Sequence, residues 1–197
     1  MDIKPVKTAV LAGGQGELLP RLLEELTADT AHTELVLVLV DTPDCAAAER
    51  TKREGAPLYC IERAMFPTQQ SFDKALADKL DDLDIGLTVM AGWPYPLSGE
   101  ILRRWEGQIL CLYPSLRREE GAVLSVAACL LERDGAPGAV LAEKTVPLPP
   151  ETNEETLAAL VAETGGALLP AAAAMFCSGR LCIHGRQAKM LPEMEDK

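Results

Sequence analysis

The sequence predicts an α/β fold with a mostly parallel sheet, helices on both faces and antiparallel strands toward the C-terminus. Three observations carry this. Short apolar runs alternate with amphipathic stretches over the first 112 residues, the pattern of βαβ units. The run at 34–40 (ELVLVLV) is apolar enough to be covered on both faces. After Ser115 two long apolar runs follow with no helical pattern between them, as antiparallel neighbours require.

The elements follow in order. Residues 8–12 read as the first strand and 13–16 as a tight loop. Residues 18–26 form a helix with Leu18, Leu19, Leu22, Leu23 and Leu26 on one face. After the second strand, Asp44 is placed to cap a helix over 45–53 that stops at Gly55. Residues 58–61 are a short third strand. A helix over 68–80 turns Phe72, Ala75, Leu76 and Leu80 inward, and strands follow at 85–90 and 108–112. The later strands are 121–131 and 139–146, joined through a turn at Asp134-Gly135. Thr152 and Glu155 suggest a capping box for a helix to Glu163. A short Ala-rich helix after Pro170 and a terminal strand at 180–183 complete the reading. Nothing divides the chain, so residues 1–197 are expected to form one domain.

Composition excludes several functions. With 19 basic and 30 acidic residues the net charge is −11, and no basic stretch could track a phosphate backbone, so nucleic acid is not an expected partner. No apolar run reads as a membrane span, and the N-terminal MDIKPVKTAVLAGG reads as a strand, not a signal peptide. The six cysteines show no Cys-x-x-Cys spacing. They suit reduced, buried thiols in a cytoplasmic protein, with no metal site. The two histidines, His32 and His184, leave little material for His-based catalysis.

The loop Gly13-Gly14-Gln15-Gly16 between strand and helix invites a phosphate reading, because helix N-termini attract anions. Asp41 would then suit a ribose hydroxyl, making the chain a nucleotide-binding module. Glu17 and Leu18 follow where a dinucleotide fingerprint continues toward its third glycine, and the Glu17 charge opposes a phosphate. The plainer reading is a tight turn without ligand.

Several segments, in order, resemble the glycinamide ribonucleotide (GAR) formyltransferase family. TAVLAGGQGELLPRLL is similar to that family's first strand and Gly-Ser-Asn phosphate loop. Glu49-Arg50-x-Lys52-x-x-Gly55-x-Pro57 resembles its second helix and third strand. Phe66-Pro67-Thr68 with Phe72-Asp73 resembles Phe-Pro-Ser…Phe-Asp. Ala91-Gly92 and Leu97 match the ends of its Ala-Gly-(Phe/Tyr)-Met-Arg-(Ile/Leu)-Leu loop. Leu112-Tyr113-Pro114-Ser115-Leu116 is similar to Ile-His-Pro-Ser-Leu. Gly138 with AVLAEKTVPL, Thr152-x-x-x-Thr156-Leu157 and Gly179-Arg180-Leu181 fit its C-terminal part.

The resemblance implies a formyltransferase-type Rossmann-like sheet. It also implies transfer of a formyl group from 10-formyltetrahydrofolate to GAR in purine biosynthesis. That reaction uses an Asn amide and a His to hold the formyl oxygen, and an Asp to manage protons. The equivalent positions here are Cys111, Tyr113 and Ala136. A thiol is a weak donor, a phenol with a reference pKa near 10 is a poor shuttle, and a methyl does nothing with a proton. Losing one oxyanion donor costs roughly 10²–10³ in rate.

The phosphate-loop equivalents are Gly13, Gly14, Gln15, Gly16, Glu17 and Leu18. The folate-pocket equivalents are Met90, Gly92, Trp93, Pro94, Tyr95 and Leu97, with Gln69 where the family has an Arg. Between Leu116 and Leu131 lies a connection about half the family's length. These departures imply an inactive formyltransferase-like protein that binds a small molecule or a protein partner, a second copy included, in the old cleft. An active formyltransferase of low or altered specificity, using 10-formyltetrahydrofolate, stays open. Trp93 and Tyr95 could stack on a pterin or plug the cleft. Cys111 reads as a core thiol before a nucleophile. Tyr113 reads as a packed residue before a ligand donor. Asp134 reads as a turn residue before a substitute for the lost Asp.

Overall fold

The computed structural model describes residues 4–28, 32–117 and 122–192. Nine strands form one sheet in the order β3-β2-β1-β4-β5-β6-β7-β9-β8. Their ranges are β1 Val6–Ala12, β2 Thr33–Val40, β3 Leu58–Cys60, β4 Leu87–Ala91, β5 Ile109–Arg117, β6 Val123–Leu131, β7 Pro137–Pro147, β8 Leu181–His184 and β9 Gln187–Met190. The first five are mutually parallel, and β5, β6 and β7 pair antiparallel. Helices α1 Leu19–Leu26, α2 Ala46–Arg53 and α5 Glu154–Cys177 contribute to the core on one face; α3 Gln69–Asp82 and α4 Gly99–Arg104 cover the other.

The alternation of the central strands builds both cores. In β1, Val10 and Ala12 enter the core beneath α1 and α5, while Ala9 and Leu11 enter the core beneath α3. In β2, Val38 and Val40 face the first core, and Leu37 and Leu39 the second. A strand covered on both faces needs this continuous apolar run. The leucine stripe of α1 is buried as its periodicity predicts.

Local signals were met by different residues in places. Cys45, not Asp44, caps α2, its sulfur accepting from the Ala48 amide at 3.4 Å. Asn153, not Thr152, caps α5, accepting from the Thr156 amide at 2.7 Å. Glu155 therefore sits inside the first turn, where it suits the helix dipole. Thr68 caps α3 through a capping box with Ser71. The sequence reading passed over α4 and β9. The strand expected from residue 121 begins at Val123; Gly121 lies outside the described residues.

Residues 154–177 are one helix, not two pieces separated near Pro170. Leu168, Leu169, Ala172, Ala173 and Cys177 pack into the core, and this burial outweighs the lost backbone bond at Pro170. By length and mean hydropathy α5 could cross a membrane, contrary to the expectation that no apolar run reads as a span. A helix with one face buried against a sheet passes the same test.

Gly16 shows how tightly the first loop is held. Its φ is +64°, and a Cβ there would lie 2.8 Å from Ala47 Cα. That atom is backbone and cannot turn aside. Gly16→Ala is therefore expected to cost about 1–3 kcal/mol through overpacking, read as a lower urea midpoint at unchanged slope.

Candidate functional site at the carboxyl ends of the strands

Ligands of open α/β sheets bind beyond the carboxyl ends of the strands, and the family-equivalent loops meet there. The loop after β1 supplies Gly13, Gly14, Gln15, Gly16, Glu17 and Leu18. The loop after β4 supplies Gly92, Trp93, Pro94, Tyr95 and Leu97. The two touch through backbone: the Gly13 N–H donates to the Ala91 carbonyl at 3.4 Å. A Cβ on Gly13 would come within 2.7 Å of the Gly92 carbonyl oxygen and of Pro94 Cδ. Gly92 has φ +76°, a conformation natural to glycine.

The loop after β4 is folded down onto α3. Trp93 is 8% exposed and lies parallel to Phe72 with centroids 6.1 Å apart. Tyr95 meets both rings edge-on, at 5.6 Å from Phe72 and 5.7 Å from Trp93. Phe66 packs edge-on against Phe72 at 5.5 Å, and the Arg63 guanidinium lies over the Phe72 ring at 5.6 Å. The Tyr95 hydroxyl donates to Asp41 Oδ2 at 2.9 Å, so the Asp41 carboxylate already has a partner. Burial, then the hydrogen bond to Asp41, pushes the Tyr95 phenol above its ordinary value near 10.

A polar clamp holds the far end of this loop. Asp73 on α3 is 1% exposed and accepts from the Ser98 hydroxyl at 2.6 Å, the Ser98 amide at 3.1 Å and Gln69 Nε2 at 2.7 Å. Gln69 also donates to the Pro96 carbonyl at 3.1 Å and accepts from Arg63 Nε at 3.2 Å. A buried carboxylate needs such donors, because an unpaired one would be costly. Sequence reasoning missed this clamp, though a signal existed: Asp73 stands three and four residues before the inward-facing Leu76 and Ala77, an acid at a core position.

The three residues that the resemblance places at catalytic positions, Cys111, Tyr113 and Ala136, lie apart from this clamp. Cys111 is 9% exposed and faces Cys129 across the β5–β6 ladder, while Tyr113 two residues on is 48% exposed. Its neighbour Leu112 points to the opposite face and fills the space beside Gly165 of α5. Ala136 belongs to a tight turn: its amide donates to Asp134 Oδ1 at 2.9 Å and its carbonyl accepts from the Glu132 amide at 2.9 Å. Asp134 thus serves the turn, as its Asp-Gly sequence suggests. Gly135 of this turn packs beside Leu102 and Leu97. Register shifts between β6 and β7 bend the hairpin, as bulges do. Met90 packs against the core beneath α3. His32 and His184 lie outside this region, at the start of β2 and in β8.

Two openings remain nearby. A cleft of about 380 Å³ is lined by the whole β1–α1 loop, by Ala91 and Gly92, and by Glu154, Leu157, Ala158, Val161 and Ala162 of α5. Glu17 and Glu154 are its charged lining residues, and no Lys or Arg lines it. A second depression, about 550 Å³, continues past Leu157 to Leu116, Leu148 and Pro149. The largest, about 1000 Å³, sits at the other end of the sheet between α1 and the α2–β3 turn. Among the described residues no group of three or more His, Cys, Asp or Glu could hold a metal.

Strand order and the helices around the sheet allow the chain to be set beside a known family. Residues 6–118 match the formyl transferase family model. This chain belongs to the formyl transferase family. Within that family it is 30% identical over 199 residues to a phosphoribosylglycinamide formyltransferase of Mycobacterium tuberculosis, covering 94% of this chain and 92% of that protein. It is 28% identical over 191 residues to the trifunctional purine biosynthetic protein adenosine-3 of Gallus gallus, covering 90% of this chain. This chain spans 19% of the length of that trifunctional protein. Glycinamide ribonucleotide transformylase 1 of Symbiobacterium toebii superposes with a TM-score of 0.85 at 23% identity, over 96% of this chain and 95% of that one. A formyltetrahydrofolate deformylase of Pseudomonas putida KT2440 shares the fold at a TM-score of 0.81 and 16% identity, over 97% of this chain and 72% of that one.

Two measurements test the packing of the loop. Trp93→Ala is expected to cost about 3–5 kcal/mol, the range for a buried aromatic truncated to alanine; a ring free to stack on a ligand would cost far less. The raised Tyr95 pKa fixes a second sign. A proton held more tightly in the folded state stabilises the fold below the unfolded value near 10, and that contribution is lost as pH rises through the folded value. Above about pH 10 the natural chain is therefore expected to lose more stability than Tyr95→Phe, read by urea unfolding across that range.

Proposed function

We propose that this formyl transferase family member has left catalysis of formyl transfer to GAR and serves as a binder, in the cytoplasm, of a small molecule or a protein partner at the carboxyl ends of its strands. The observation that carries this reading is the packing of Trp93 and Tyr95 against Phe72. In the family this loop receives the folate; here its rings are spent on the protein's own core. The chemistry of the equivalent catalytic positions agrees. The Cys111 thiol is pushed far above its ordinary range by its hydrogen bond to Cys129 and by burial. Tyr113 has a phenol where an imidazole would shuttle a proton, and Ala136 has no group to offer. Each missing donor is worth about 10²–10³ in rate, so together they leave little beyond proximity.

The β5–β6 connection supports the same reading. β5 and β6 pair continuously from Leu110↔Leu130 to Arg117↔Val123, so only residues 118–122 join them, where the resemblance implies a longer connection.

A second reading, an active formyltransferase of altered specificity using 10-formyltetrahydrofolate, is favoured by one feature: the cleft beside Gly13–Leu18 and α5. Glu17 and Glu154 on its lining suit a phosphorylated amine poorly. The nucleotide-module reading is weakened, because one Asp41 oxygen already accepts from Tyr95.

One assay pair separates these readings. The purified chain is given 10-formyltetrahydrofolate and GAR, and product formation is followed against a no-enzyme control. No rate above the control is expected. A turnover abolished by Tyr113→Phe or by Asp134→Asn would overturn the proposal. In parallel, thermal unfolding is read with folates, GAR and NAD. A ligand at 100 times its Kd adds about 2.7 kcal/mol. Folates and GAR are expected to give no shift, whereas a folate shift would favour the second reading and an NAD shift the third.

A further inference from the structure

Cys111 and Cys129 face each other in direct register on the antiparallel strands β5 and β6. Their sulfurs are 3.8 Å apart. Residues directly opposite in an antiparallel pair hold their Cα atoms about 4.5 or 5.5 Å apart, depending on the hydrogen-bonding position. Both spacings fall inside the window of about 4.4–6.8 Å that a disulfide spans. The pair therefore meets the Cα-separation requirement for a disulfide.

Access is graded across the pair. Cys129 is fully buried, while Cys111 retains 9% exposure. β4 pairs with β5 only at Ile109 and Leu110, so Cys111 is the first residue beyond that cover and leads to the exposed Tyr113. Cys111 is therefore the more accessible of the two.

We propose that Cys111 and Cys129 are a redox dithiol, converted to an intramolecular disulfide by hydroperoxides and returned to two thiols by a dithiol reductant. This inference stands on strand register and does not depend on the proposed function.

The steps balance. Cys111 Sγ gives up its proton and attacks the terminal oxygen of the peroxide. The O–O bond breaks, releasing water or an alcohol and leaving a sulfenic acid on Cys111. Cys129 Sγ then attacks Cys111 Sγ, the S–O bond breaks, and hydroxide leaves as water with the Cys129 proton. Two thiols and one hydroperoxide become one disulfide, one water and one water or alcohol. The hydrogen bond to Cys129 and burial hold the Cys111 proton, so attack on the peroxide is the slow step. In the dithiol the hydrogen bond from Cys111 lowers Cys129, and the Arg186 guanidinium acts in the same direction and still favours the Cys129 thiolate, the form needed for the closing step, once Cys111 is oxidised.

The experiment uses the full chain and a variant with Cys45, Cys60, Cys177 and Cys182 all changed to Ser, each reduced and then treated with hydrogen peroxide. Expected are loss of the mass of two hydrogens, two fewer alkylatable thiols after denaturation, and a proteolytic fragment joining the Cys111 and Cys129 peptides. Dithiothreitol should reverse all three. In Cys129→Ala, Cys111 is expected to accumulate a sulfenic acid that dimedone traps, because the resolving thiol is gone. Full alkylation of both Cys111 and Cys129 after peroxide has oxidised other thiols of the natural chain would overturn the proposal. So would a disulfide that links either residue to another cysteine, or oxidation of Cys111 to sulfinic acid without a cross-link in the chain that retains Cys129.

Discussion

The contact between the β1–α1 loop and the β4–α4 loop governs what this molecule offers at the carboxyl ends of its strands. Gly13 and Gly92 bring two backbones together where a single methyl would intrude. Behind that contact, the Asp73 carboxylate grips Ser98 from inside α3. Between these two fixed points lie only five residues, and their rings have nowhere to go but onto Phe72. A side chain at Gly13, or loss of the Asp73 acceptor, would release the loop at one end. The packing of Trp93 and Tyr95 is thus a consequence of backbone proximity and one buried charge, not of aromatic attraction alone, which supplies only about 0.5–1.5 kcal/mol per ring pair.

That arrangement divides the end of the sheet in two. On the α3 side the space is taken by aromatic rings. On the α5 side a cleft persists beside the glycine loop, lined by Leu18, Leu157 and Val161 and carrying two glutamates. The family's fold is kept across the whole sheet. Fold and chemistry are thereby separable: the βα scaffold depends on alternation of apolar residues, whereas the reaction depends on a few polar groups at strand ends.

Much of the fold was legible because the dominant signals are local. The leucine spacing in α1, the apolar run of β2 and the inward stripe of α3 each fix an element through period alone. Failures came where a longer-range interaction decided the outcome. The sequence suggests one helix to Glu163 and another after Pro170, yet burial of Leu168, Leu169, Ala172 and Ala173 around Pro170 holds α5 together as one. The caps went to Cys45 and Asn153 because each lies at the N-cap of its helix, whereas Asp44 and Thr152 stand one residue outside; sequence spacing alone resolves helix ends to no better than a residue or two. α4 is too short to show a period. β9 gains its place by pairing with β8 and with Val140 of β7, information no local window contains.

For the site, the sequence by itself determined which residue types stand at the positions that the resemblance singles out: a thiol at 111, a phenol at 113, a methyl at 136, and aromatics at 93 and 95. Residue identity is a covalent fact and needs no fold. Only the tertiary structure decided where the aromatics point, that Asp41 is engaged by Tyr95, that Asp73 is the loop's anchor, and that Cys111 has Cys129 as its neighbour. Those outcomes depend on which strands pair and in what register, and on which groups lose water when α3 covers the sheet. Residues 54 apart, as Asp41 and Tyr95 are, become partners only when strand order brings the ends of β2 and β4 to the same edge.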